Sequence, residues 1–253
     1  MTVTELYKKL CQYFPEDLRC EWDNDGIMVC PDSSAEVKKV LLSLDVTEEI
    51  VDYAIDQGFD LIISHHPLIF RPLSSISEEN HVSRKVVKLI ANAISVFSFH
   101  TRADRAAGGV NDRLAEILGL TNTEPFGEDG LGRIGLLTEE YELEVFADAV
   151  KLALGADSIK VADGYNSVRK VAVVGGDGKD FVSDALKMGA DTYVSGRLSY
   201  NVMEEAADMG INLIEAGHYF TELPITERFS EIIARLDADI YTEIADSNMI
   251  RTV

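Results

Sequence analysis

Apolar runs of strand length alternate with segments of helical spacing along almost the whole chain, and this alternation limits the possible folds more than any other feature. VKKVLLSLDV (37–46) reads as a strand. Thr47 then stands where a helix N-cap belongs, Glu48 and Glu49 suit a first turn, and Gly58 suits a stop. DLIISHHP is the next strand, RPLSSISEEN a polar loop, and HVSRKVVKLIANA a helix with Val82, Val86, Leu89 and Ile90 apolar. ISVFSFHT is again a strand, and GVNDRLAEILGL a helix with Leu114, Ile117 and Leu118 on one face. GEDGLGR, from Gly127, reads as loop or linker. Beyond it, RIGLLT, SIKVAD, VRKVAVVGG, DTYVSG, INLIEAGH and DIYTEI read as strands; EEYELEVFADAVKLALGA, DFVSDALKMGA, NVMEEAADMG and PITERFSEIIARL read as helices. The pattern predicts an α/β fold of two interlinked halves with mixed, largely parallel sheets. The halves are expected at 1–126 and 127–253, with the final segment able to pack back on the first.

At 253 residues and 46% hydrophobic, the chain can bury one large core or two smaller ones. Its formal net charge of -21 argues against a nucleic-acid surface, which needs many Lys and Arg, and against anionic membranes. An anionic substrate would need local positive charge, from a metal or a few arginines. No apolar stretch is long enough for a transmembrane helix. The N-terminal MTVTELYKKLCQYF lacks the order of a signal peptide and has the spacing of a short amphipathic helix. Cys11, Cys20 and Cys30 are odd in number and form no CxxC pair, so reduced thiols and a cytoplasmic location are expected.

In open α/β sheets, ligands gather outside the carboxyl ends of strands. LIIS ends in His65 and His66; VFSF ends in His100, with Asp104 four residues on; INLIEAG ends in His218, with Glu222 four residues on. The fifth histidine, His81, sits at a loop–helix junction. A single strand-end histidine is most often a hydrogen-bonded structural residue. The adjacent pair, joined by two further histidines each followed by an acid at i+4, points instead to metal ligation. Two imidazoles leaving one strand could serve two metals, and a carboxylate can bridge them. Histidine with carboxylate suits Zn, Fe, Mn, Co or Ni, and spacing does not choose among these. VAVVGGDGKDF (171–181) lacks the full G-x-G-x-x-G and the P-loop lysine–serine, and reads as a tight structural turn rather than a nucleotide loop.

EWDNDGIMV, LLSLDVTEEIVDYAIDQGFDLIISHHP, FHTRAD with GGVNDRLA, VAVVGGDG and GHYFTE together resemble the Nif-three-like family, also called GTP cyclohydrolase I type 2 homologues, over nearly the whole chain. The resemblance implies a two-domain α/β fold, a dinuclear metal site and a ring-shaped homohexamer. Matched residue by residue, it implies His65, His66, Asp104, His218 and Glu222 as metal ligands, Glu222 as the bridge, and His100 beside the metals. Two departures concern the surroundings: Arg102 replaces an asparagine in HTRAD, and SGRLSYN, with Arg197 and Asn201, stands where the family often reads TGD and a tyrosine–histidine pair.

The combined expectation is a dinuclear divalent-metal protein acting as a hydrolase on a nucleotide or other small anionic substrate, either GTP cyclohydrolase-like or a phosphoesterase. His100 is the candidate proton-transfer group. Arg102 and Arg197 are candidate anion-binding forks, with pairing to the many acidic residues as the structural alternative. The reading from a different class is a non-catalytic metal-binding or scaffold hexamer.

Overall fold

In a computed structural model describing all residues except 128 and 129, the alternating elements form two sheets, each within its own structural unit. The loop reading of GEDGLGR falls partly on those two residues, outside the described part.

The first unit comprises Met1–Ala106 and Ile225–Met249. Its five strands are β1 (Gly26–Val29), β2 (Lys39–Ser43), β3 (Leu61–Ser64), β4 (Ser95–Ser98) and the last strand of the chain, β11 (Tyr241–Ile244), in the order β1-β4-β3-β2-β11. All pairs are parallel except β1 with β4. β3 and β4 are buried at every position, as befits parallel strands covered on both faces. Helices α1 (Val3–Leu10), α2 (Glu48–Gln57) and α3 (His81–Ala91) belong to this unit. Thr2 and Glu5 form a capping box on α1. The Thr47 hydroxyl accepts from the Ile50 N–H at the start of α2, and Gly58 ends that helix at φ 65, where a side chain would be strained. The Asn80 side chain caps α3. These capped crossovers deliver the carboxyl ends of β2, β3 and β4 to one edge of the sheet.

The second unit comprises Ala107–Pro224 and Ile250–Val253. The junction therefore lies at Ala106–Ala107 rather than at 126–127. The reason is packing: α5 (Val110–Ile117) puts Leu114 and Ala115 into the same core as Val171, Val173, Phe146 and Val150. The last long helix, α10 (Pro224–Leu236), instead joins the first unit from Ile225 on, where Phe229 meets Phe14 at 5.4 Å and Phe99 at 5.9 Å.

The second sheet has β5 (Thr121–Phe126), β6 (Gly132–Tyr141), β7 (Lys160–Ala162), β8 (Val168–Asp177), β9 (Thr192–Arg197) and β10 (Asn212–Glu215), in the order β5-β6-β8-β9-β10-β7. Only β8–β9 and β9–β10 are parallel, so it is the first sheet that is largely parallel. β5 has no strand signature because it is an edge strand: five of its six residues are exposed and one is Pro125. β8 continues through Gly175 and Gly176 to Asp177, its pairing with β9 irregular between Val174 and Asp177, and is followed by a short 3₁₀ turn, Lys179–Phe181, and α7 (Val182–Lys187). The glycine stretch is thus strand, not a phosphate loop. Among the described residues, no helix is long and apolar enough to cross a membrane.

Candidate metal centre

Each unit carries part of the histidine–carboxylate set, built in a different way. In the first unit the chain leaves β3 still hydrogen-bonded: the His66 N–H donates to the Leu44 carbonyl at 2.9 Å. His65 is fully buried and His66 partly exposed. His65 Nδ1 lies 2.9 Å from the Phe99 carbonyl oxygen. A carbonyl only accepts, so Nδ1 is the donor of this bond, which fixes the ring and the direction in which Nε2 points. His66 Nδ1 lies 2.8 Å from Asp45 Oδ1, and His100 Nδ1 lies 2.9 Å from Asp23 Oδ1. All three imidazoles therefore have Nδ1 held by an oxygen acceptor, the arrangement that orients metal-ligating histidines. The ligand atoms of His65, His66 and His100 lie within 4.8 Å of one another.

His100 caps α4 (Thr101–Arg105), and the Asp104 N–H returns to the His100 carbonyl at 3.2 Å. That single turn brings Asp104 Oδ1 to 3.6 Å from His65 Nε2. The turn is held from below by two buried acids of the WDND stretch. Asp23 Oδ2 accepts from the Thr101 N–H at 3.1 Å and from its hydroxyl at 2.7 Å. Asp25 Oδ2 accepts from the His100 N–H at 3.1 Å and from Arg102 Nε at 3.0 Å. Burial pushes the Asp23 carboxyl up, but the hydrogen bonds from His100 and Thr101 outweigh it and bring it down to about 2. Burial is also the largest influence on His100 and pulls it down; the bond to Asp23 and the negative charge of Asp104 reverse this, and the net shift is upward. Asp25 ends above the usual carboxylate range because burial exceeds the effect of Arg102.

The placement of Arg102 differs from that expected of an anion fork. It is fully buried, paired with Asp25, and also donates to the Phe14 carbonyl at 3.3 Å and the Tyr7 hydroxyl at 3.1 Å, with its guanidinium 4.7 Å from the Phe99 ring centroid. A guanidinium so committed is the structural arginine of the alternative reading. Arg197 is exposed at the end of β9, opposite Asp177 in the register.

In the second unit, β10 is followed by α9 (His218–Glu222). One helical turn puts residues i and i+4 on one face, and His218 Nε2 lies 3.0 Å from Glu222 Oε2. Glu222 is buried, and His218 is half-exposed. This turn sits directly on β8 and β9 because those strands have glycine beneath it. A Cβ on Gly176, whose φ is +67, would collide with Glu222 Oε1 and come to 3.3 Å from His218 Cε1. A Cβ on Gly196 would come to 2.7 Å from His218 Cα. The Thr221 hydroxyl accepts from the Gly176 N–H at 3.1 Å, and Asn111 Oδ1 accepts from the Gly175 N–H at 2.7 Å.

Residue spacing thus located the imidazoles and acids but not the groups that hold them. Asp45 stood in plain view: it follows β2, at the same sheet edge as the histidines. Asp23 lies in an irregular loop far away in sequence, and only the family resemblance of EWDNDGIMV marked its stretch.

The comparisons with known proteins agree with this architecture. The family model described as Duf34/NIF3 (NGG1p interacting factor 3) matches residues 1–252. A Clostridium perfringens protein named GTP cyclohydrolase 1 type 2 homolog is 38% identical over 234 residues, 89% of this chain and 89% of the relative. A hypothetical protein of Staphylococcus aureus has a similar structure, with a TM-score of 0.91 and 26% identity, covering 100% of this chain and 99% of that one. Reduced HcgD from Methanocaldococcus jannaschii has a TM-score of 0.84 and 28% identity, covering 96% of this chain and 97% of that one. With its histidine cluster at the sheet edge and a family match spanning nearly every residue, the chain belongs to the Duf34/NIF3 family.

Proposed function

We propose that this protein binds two divalent metal ions per chain through His65, His66, Asp104, His218 and Glu222, and uses them as a hydrolase on a nucleotide or other small anionic substrate. The observation that carries the reading is the common state of His65 and His66: each has Nδ1 engaged by an oxygen, which turns Nε2 toward a metal. Neutral imidazole with carboxylate is a donor set suited to Zn, Fe, Mn, Co or Ni. A bound pair of such ions supplies Lewis acidity and lowers the pKa of coordinated water. The chain's own contributions are distinct from that. Asp45 and Asp23 orient His66 and His100. His100, with Nδ1 tied to Asp23, holds or passes a proton at Nε2. Arg197 offers an exposed cation for an anionic group.

The names of the relatives support a GTP cyclohydrolase-like activity, and the same donor set would serve a phosphoesterase. A homo-oligomer, taken as a hexamer, and a cytoplasmic location belong to the same proposal. Elemental analysis should find up to two divalent ions per chain, with fewer in His66→Ala and Glu222→Ala. Metal-loaded protein should then turn over a nucleotide or phosphate ester, and Asp104→Ala should abolish that turnover. Undiminished metal in both ligand variants would end the site assignment. Tight metal binding without turnover across such a panel would leave the non-catalytic scaffold as the function. Light scattering at micromolar concentration tests assembly, and a monomer mass would refute the oligomer.

A further inference from the structure

The WDND stretch is built inside out. Its two acids point inward and its large apolar residue points outward. Asp23 and Asp25 are 9% and 5% exposed, whereas Trp22 is 65% exposed. Every polar side chain of the stretch holds a neighbour in place. Asp23 fixes His100 and Thr101, Asp25 fixes the His100 backbone and Arg102, and the Asn24 amide donates to the Ile69 carbonyl. The Asn24 bond ties this loop to the segment that carries Phe70, itself 42% exposed. The rings of Trp22 and Phe70 stand 6.3 Å apart at 63°, and each lies edge-on to the His100 ring, at 6.2 Å and 6.3 Å. Two large rings are thus held in the open against the histidine cluster, by bonds that would hold the loop equally well with a small residue at 22.

We propose that Trp22 and Phe70 form a stacking shelf for a planar nitrogen heterocycle, such as a nucleobase, presented to His100. The rings are too close and too steeply inclined to sandwich a ligand between them. They offer instead the outer face of the indole and an adjoining ring edge. An indole face is a broad, polarisable surface that stacks on a planar π-face, which every nucleobase has and a sugar phosphate lacks. The shelf lies wholly in the first unit, and all the contacts that hold it are local. The inference deepens the proposed function by naming the class of the substrate's organic part, and rests on that reading only for the chemistry that follows binding.

Trp22 is the sole tryptophan, so the full-length protein carries its own reporter. The probes are guanosine, adenine and ribose 5-phosphate, titrated against zinc-loaded and metal-stripped protein of measured metal content. Saturable change in tryptophan emission is expected with guanosine and adenine and not with ribose 5-phosphate. Equilibrium dialysis should show Trp22→Ala weakening guanosine about ten-fold, Phe70→Ala weakening it less, and Trp22→Phe restoring most of the affinity, all with unchanged metal content. Equal affinity for guanosine and ribose 5-phosphate would overturn the shelf, as would unaltered binding in Trp22→Ala. Inaccessibility of Trp22 to acrylamide in ligand-free protein would also overturn it, by showing that another copy of the chain covers these rings. Heterocycle binding by a wild-type protein that takes up no metal when loaded would refute the proposed metal function while leaving the shelf in place.

Discussion

Gly176→Ala tests whether the glycines of β8 exist to seat the His218–Glu222 turn. Two penalties act at this position. The backbone φ of +67 is a left-handed conformation, which costs a residue with a Cβ about 1–2 kcal/mol. The added methyl would also overlap Glu222 Oε1 and sit 3.1 Å from Glu222 Cδ, and such overpacking costs about 1–3 kcal/mol. The sum is about 2–5 kcal/mol. Gly189→Ala isolates the first penalty: its φ is +76, yet the nearest atom to its Cβ is Lys170 Nζ at 4.0 Å. That variant should lose only about 1–2 kcal/mol. Calorimetry should show a clearly larger fall in melting temperature for Gly176→Ala, at about 2–4 °C per kcal/mol for a chain of this size class. Glu222 must move to relieve the clash, so metal content should fall in Gly176→Ala and stay at the wild-type level in Gly189→Ala. Equal destabilisation of the two variants, with full metal in both, would refute the argument that close approach of α9 requires glycine at 176.

Asp45→Asn should weaken metal affinity about 10–100-fold by loosening His66, measured by competition with a chromophoric chelator, and wild-type affinity would show that the 2.8 Å contact does not orient the ligand. Arg102→Ala should destabilise the protein by about 3–5 kcal/mol in chemical denaturation, because it leaves the Asp25 carboxylate buried without its principal cation; a stable variant with weakened phosphate binding would return Arg102 to the substrate. Chelation of the metals should lower the melting temperature and re-addition should restore it, by mass action on the folded state; verified metal loss with an unchanged transition would separate the site from folding.

Most of the longer elements could be read along the chain, because their causes are local. Strand-length apolar runs, the N-cap at Thr47 and the stop at Gly58 depend on neighbours a few residues away. The sequence by itself also determined the candidate donors: His100 with Asp104 and His218 with Glu222 each lie within one helical turn, so their spacing is visible along the chain. Pairings between distant residues were not visible. Asp23 meets His100 and Asp45 meets His66 only because the fold joins segments 77 and 21 residues apart. Arg102 illustrates the limit most clearly. Its position two residues before Asp104 suggests a cation at the site, yet that residue of α4 points into the core of its unit, where Asp25, Tyr7 and Phe14 receive it. The edge strand β5 was likewise a tertiary outcome, and so was the point, Ile225, at which the final segment returns to the first unit, a return that the sequence pattern allows. An exposed edge carries no apolar alternation, and which of two cores accepts an amphipathic helix is decided by shape, as in the seating of Phe229 against Phe14 and Phe99.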